Sequence, residues 1–188
     1  MAFLNALFTA ALDNNLVFAQ LIGMVSAVLV AGRPQDSWRF GGMVAVATAV
    51  AGALGWPLYT QLMQAWGVAY LAPLAYVLVS WTAIVVIATV LGAGKSVAER
   101  ERLLRACPIV ACNAAVADTL TWDAALGSSI GAGLGVLLAV LLFAFVRDRI
   151  DERLVPAALR GLPITLVTAS LMALAFTGVA GIAGGLFV

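Results

Sequence analysis

The chain has 188 residues, of which 64% are hydrophobic and 10% charged, and its mean hydropathy is +1.09. A water-soluble domain carries about 25% charged residues, so ten cations and nine anions are too few to cover a soluble globule of this size. This excludes a soluble enzyme, a nucleic-acid-binding module and a disordered tail, and describes an all-α integral membrane protein whose solvent is the lipid bilayer. Histidine is absent, which removes the usual neutral-pH general base and metal ligand. The two cysteines, Cys107 and Cys112, are too few for a disulfide framework or a four-thiolate zinc site.

The opening segment, residues 1–15, has no basic residue ahead of its apolar run. A secretory signal needs a positive n-region, so this segment is read as retained structure. A spanning helix needs about 20 mainly apolar residues. The first apolar stretch covers 2–31 and is interrupted by Asp13-Asn14-Asn15. That leaves Leu16 to Ala31, about 24 Å of helix, short of the roughly 30 Å hydrocarbon core. The second stretch runs over 40–63 and the third over 68–94. Lys95 to Arg105 is the most polar segment and reads as a loop. The fourth stretch, 106–117, spans about 18 Å and contains Pro108 and Asn113. The fifth covers 124–146 and the sixth 161–188. Six transmembrane helices are expected.

The loop charges set an orientation. The first loop holds Arg33 and Arg39, the third Lys95, Arg100, Arg102 and Arg105, and the fifth Arg147, Arg149, Arg153 and Arg160. These are all the cations of the chain. The even loops hold Asp118 and Asp123 and no cation. By the positive-inside rule the odd loops face the cytoplasm, which predicts a multi-pass protein of a bacterial-type inner membrane with both termini outside.

The charged segment divides one membrane domain into halves, 1–94 and 95–188, of three helices each. An odd number of spans per half makes any structural repeat an inverted one. The first helix of each half is short or interrupted, and such segments at matching positions point to a midplane site. Asn14, Asn15 and Asn113 are the midplane polar candidates, since an amide in lipid needs a protein or cofactor partner. The competing reading takes Asp13-Asn14-Asn15 as a helix cap at the outer interface. Pro73/Pro163, Ser80/Ser170 and Gly94/Gly184 match at an offset of 90, a weaker sign of repetition.

Gly127, Gly131 and Gly135 recur every four residues in the fifth stretch. Such spacing lets helix backbones approach closely, and Ala45, Ala49 and Ala53 read the same way. Trp38, Trp56, Trp66 and Trp122 fall near predicted span ends, as in an aromatic belt. Residues 147–153 read as a solvated loop with paired charges, or as a surface for a partner.

Val155 to Phe176 resembles the "VPA-x-x-RG…I-x-L-I-T-A-G-LM-x-LAF" passage of the RnfA/NqrE-type membrane subunits of the Rnf and Nqr ion-translocating electron-transport complexes. Asn14 to Gly23 is similar to that family's "NN-x-VL-x-x-FLG" opening, and Cys107 to Asn113 falls at its "LPLITTN". The likeness is collinear over nearly the whole chain. It implies six spans, inverted halves, external termini and a homologous partner subunit of opposite topology. It also implies a [2Fe–2S] cluster held by one cysteine from the first span and one from the fourth, together with the partner's pair. Here those positions are Met24 and Ala114, and neither side chain supplies the thiolate such clusters use. Cys107 and Cys112 lie five residues apart, about 140° around a helix, so a regular helix does not aim both at one iron. Cys112, two residues before the family position, serves as a ligand only on an irregular helix. Met24 and Cys112 are thus the cofactor-facing candidates.

Three functions remain open. The first is a divergent Rnf/Nqr-type subunit packing with other membrane subunits around an electron or ion path, without its own iron–sulfur ligation. The second is a small stand-alone inverted-repeat transporter, and the third an accessory subunit recruited into an unrelated membrane assembly. An enzyme active on its own is not expected, because no nucleophile–base pair, phosphate loop or intact metal motif is present.

Overall fold

A peptide group in lipid has no water to bond, so apolar segments of this length satisfy their backbone internally, as helix. The computed structural model describes residues 2–22, 24, 28, 34–91, 97–117, 120–151 and 153–179, and among these it holds helices and turns but no strand. Helix α1 (Ala2–Phe8) runs into a π-helical turn, Thr9–Asp13. Helix α2 (Pro34–Pro57) likewise continues as a π-helical turn, Leu58–Met63. A 3₁₀ turn, Ala69–Leu71, leads into α3 (Ala72–Val90). Then follow α4 (Val97–Leu104), α5 (Cys107–Ala117), α6 (Trp122–Asp148) and α7 (Leu162–Val179). Among the described residues three segments are long and apolar enough to cross a membrane: Ser37–Met63, Ala69–Val90 and Trp122–Asp148. Ala2–Asp13 and Leu162–Gly178 are shorter apolar helices.

Several boundaries depart from the sequence expectation for physical reasons. Helix α2 begins at Pro34 rather than at residue 40, because proline suits the first helical turn, where its missing N–H costs nothing. Pro57 removes an i→i−4 bond deeper in the same helix, and the chain widens into a π turn directly after it. Leu16 to Ile22 is not helix as expected but a run of turns with Leu21 at φ +57°. The polar segment read as a loop folds in part as α4. There Leu103 is buried while Arg100, Glu101 and Arg102 are exposed, so its apolar residues gather on one side.

The centre of the bundle is the antiparallel pair α2 and α6. Gly41 lies against Leu137, Gly133 against the Ala45 carbonyl and Gly52 against Ser129, so numbers rise on one helix as they fall on the other. Helix α1 runs parallel to α6, with Gly127, Gly131 and Gly135 against the backbones of Phe3, Leu7 and Ala11. Helix α5 runs parallel to α2. Asn113 meets Thr48, Gly55 meets Ala114, and Trp56 Nε1 donates to the Leu120 carbonyl at 2.8 Å. It follows that α1 and α5 point in opposite directions. Helix α3 packs on α2 and α5, and α7 on α6 and the first π turn.

The start of α2, the ends of α3 and α6, and α4 gather at one end of the bundle, which carries Arg39, Arg100 and Arg147. Arg33 and Lys95 lie outside the described residues, as do Asp118, Gly94 and Gly184. Ser80 is buried and Ser170 exposed, so that offset-90 pair does not share an environment.

The glycine contacts carry a test. A methyl at Gly131 collides with the Leu7 carbonyl, whereas at Gly42 it meets nothing within 4 Å. Gly131→Ala is expected to lower stability by about 1–3 kcal/mol, as overpacking does. Gly42→Ala should stay within about 0.5 kcal/mol of the parent. Denaturant unfolding in detergent micelles, followed by circular dichroism, checks both.

Candidate functional site

A polypeptide that stops being helical inside a bundle exposes amides and carbonyls that lipid does not satisfy. Here one fully buried side chain, Asn15, makes good much of that loss. Its Oδ1 accepts from the amides of Val17 at 3.0 Å and Phe18 at 3.3 Å. Its Nδ2 donates to the carbonyls of Ala11 and Gly135, both at 3.0 Å. The first pair is the geometry of an N-cap, and the second fastens the break to α6. Gly135 stands thirteen residues from either end of α6, so the junction lies at mid-height, not at a span end. Leu16, Val17 and Phe18 are buried with it, and the Phe18 ring sits 4.7 Å from that of Phe176 on α7.

A second amide lies across the bundle. Asn113, buried on α5, donates from Nδ2 to the Thr48 carbonyl at 3.1 Å. Thr48 is midway along the helix that ends at Met63. A methyl on Gly52 would strike both Ser129 and the Asn113 amide, so this glycine keeps three helices close together. Thr48 and Ser129 return their own hydroxyls to the carbonyls of Val44 and Ala125. Thr48, Gly52 and Ser129 are not prominent in the composition; their signal is a small or hydroxyl side chain within a long apolar helix.

Asn14 takes a different place. Its amide closes the π turn onto the Thr9 carbonyl at 2.7 Å, and its Oδ1 accepts from Gln20 Nε2 at 2.8 Å. With Asn5, Thr9 and Ser128 it lines a cavity of about 340 Å³ between α1, the end of α5 and the start of α6. Asn5 and Thr9 stand one helical turn apart, so a lane of polar side chains leads from the start of α1 toward the break.

The two positions where the family resemblance places thiols are apolar. Met24 packs at the edge of the main core. Ala114 is fully buried in a separate cluster with Met63, Ala72 and Tyr76, its methyl and carbonyl against Gly55. Cys107 and Cys112 are free thiols, each half-buried on α5, and Cys107 Sγ approaches the Val77 carbonyl of α3 at 3.8 Å. Among the described residues no group of three or more His, Cys, Asp or Glu side chains converges to hold a metal.

A bundle of apolar helices, one of them broken at mid-height and held there by side-chain amides, defines a polytopic helical membrane protein. The chain belongs to the Rnf-Nqr family: residues 3–183 match the family described as Rnf-Nqr subunit, membrane protein. It is 31% identical to one of the subunits of the ion-translocating oxidoreductase complex of Syntrophotalea carbinolica, over 95% of this chain and 96% of that protein. It is 28% identical to one of the subunits of the Na(+)-translocating ferredoxin:NAD(+) oxidoreductase complex of Acetobacterium woodii, over 96% and 98%. One of the subunits of the Na(+)-translocating NADH-quinone reductase of Chlamydia trachomatis serovar L2 is also 28% identical, over 90% of this chain and 77% of its own.

Removing the Asn15 side chain leaves the buried amides of Val17 and Phe18 without their acceptor and unties the break from α6. Asn15→Ala is expected to cost about 2–4 kcal/mol, since each buried polar group left unpaired costs about 1–3 kcal/mol and relaxation recovers some of the total. Asn15→Ser, which keeps a capping oxygen, should fall between the variant and the parent. Unfolding in micelles gives the order, and equal stabilities for the three proteins would contradict the role assigned to Asn15.

Proposed function

We propose that this chain is a divergent, non-catalytic membrane subunit of a multi-subunit, ion-translocating redox complex. It packs with other membrane subunits, among them a homologous subunit of opposite topology, around an electron or ion path. The observation that carries this reading is its end-to-end similarity to subunits of ion-translocating oxidoreductase complexes. Within this reading the fold is six transmembrane helices arranged as inverted halves, 1–94 and 95–188. The opposed directions of α1 and α5, and of α2 and α6, support that arrangement. So does the reciprocal bonding in which Asn15 reaches α6 and Asn113 reaches α2. The end of the bundle bearing the arginines faces the cytoplasm by the positive-inside rule, with the termini outside an inner membrane.

The chain does this without ligating an iron–sulfur cluster of its own. A thioether at Met24 and a methyl at Ala114 replace the thiolates the cluster needs. Cys112 sits on a regular helix with Cys107 about 140° away, so the pair does not converge. A stand-alone transporter is the second reading, and the cavity beside Asn5, Thr9 and Asn14 is what favours it. The missing thiolates suit a third, recruitment into an unrelated membrane assembly, since a fold does not fix a function.

Purification of the complex from its native membrane through a tag on this chain separates these readings. Membrane redox subunits are expected among the co-purifying proteins, with iron and labile sulfide unchanged when Cys107 and Cys112 are both replaced by serine. Iron lost in that double variant would refute the ligand-free assignment. Neighbours from a different assembly would support recruitment, and solute uptake by the chain alone in vesicles would support the transporter.

A further inference from the structure

Helix α3 carries Trp81, Val85 and Thr89 one turn apart on a side that is not buried in the bundle. They face a groove of about 330 Å³ whose base is closed by Ile84 and Ala88, both buried in the main core. Trp81 lies nine residues from either end of α3, at mid-height. The groove continues to Thr89, about 12 Å further along the helix axis. That is close to half of the roughly 30 Å hydrocarbon core, the depth of one leaflet. Its upper wall is α4, which contributes Leu103 and Leu104 and, with them, Arg100. An amphipathic helix of this kind lies in the plane of the interface with its apolar side inward.

Cations outnumber anions at this end, although Glu101 on α4 and Asp148 on α6 also lie there. Arg102 and Arg105 are exposed on and just beyond α4. On the other side of the end of α3, a second cavity of about 330 Å³ joins Arg39 and Trp38 to an apolar floor that includes Met43 and Leu91. Basic pockets between helices on the cation-bearing face of a membrane protein suit anionic headgroups. The volume is at the low end for a ligand pocket. It admits a single extended hydrocarbon chain, whereas a helix about 10 Å across would not enter it.

We infer that the α3–α4 groove binds an anionic phospholipid, with one acyl chain along α3 from Thr89 down to Trp81 and its phosphate against Arg100. The inference concerns this face alone and is independent of which complex the chain joins. Trp81, half-exposed at the bottom of the groove, is a built-in reporter.

The full chain is placed in phosphatidylcholine nanodiscs doped with either phosphatidylglycerol or phosphatidylcholine carrying brominated acyl chains, which quench nearby indoles. The difference between the parent and Trp81→Phe isolates the Trp81 signal. Brominated phosphatidylglycerol is expected to quench Trp81 at about one-fifth the mole fraction that brominated phosphatidylcholine requires, the scale of one arginine at a charged surface. Arg100→Gln should abolish that preference, while Arg102→Gln, outside the groove, keeps it. Equal quenching by the two lipids would mean an ordinary lipid belt and would overturn the inference without any arginine variant. A preference that survives Arg100→Gln, or a Trp81 shielded from both lipids because protein covers the groove, would overturn it as well.

Discussion

Backbone polar groups at the middle of a bilayer must find partners within the protein, and the chain between Asn14 and Ile22 leaves the helix at that depth. The arrangement around it follows from this constraint. A single carboxamide serves both sides of the break, since its oxygen caps the amides that follow while its nitrogen donates to the carbonyls of Ala11 and Gly135. Neither a hydroxyl nor a carboxylate offers that combination, because the first has one proton to donate and the second has none when ionised. The break is thereby joined to α6, and α6 to the centre of the bundle.

Close approach is the second requirement, and small residues meet it. An amide on a short side chain reaches a neighbouring backbone only when the helices nearly touch. Gly127, Gly131 and Gly135 bring α6 against α1, Gly133 brings it against α2, and Gly52 makes room for Asn113 and Ser129. In lipid there is little hydrophobic gain from helix association, so packing and polar contacts of this kind hold a bundle together. Long aliphatic side chains turn outward, as Leu166, Leu171 and Leu174 do on α7, where acyl chains or neighbouring subunits meet them.

Much of this was legible in the residues, unevenly. Cations are costly to move through lipid, so their positions mark segment ends, and α3, α5, α6 and α7 lie close to where those marks put them. Asp13-Asn14-Asn15 was legible as an interruption, yet two physical ideas competed there: a cap at the interface and a polar site at the midplane. Asn15 makes cap hydrogen bonds at mid-height, a combination that spacing alone does not reveal. The apolar residues of α4 were hidden by the charges around them, although Leu103 and Leu104 stand three and four residues after Arg100, the repeat of one helical side. Thr48, Gly52 and Ser129 were not legible as a group, since their proximity is a product of how α2, α5 and α6 cross. The sequence could report that no thiol stands at 24 or 114, but not that these positions belong to separate apolar clusters.

The parallel seating of α1 on α6 has a consequence for the order of assembly. Asn15 and the carbonyl it reaches on Gly135 are 120 residues apart. At about 5–20 residues per second, that surface leaves the ribosome roughly 6–24 s after the segment that needs it. The helices made in between, α2, α3 and α5, already have partners in one another. The earliest segment of the chain is therefore among the last to be seated, and the Asn15 amide has no α6 carbonyl to reach until synthesis has passed α6. A chain halted after α5 would keep the local cap on Val17 and Phe18 yet leave the break unanchored in the bilayer.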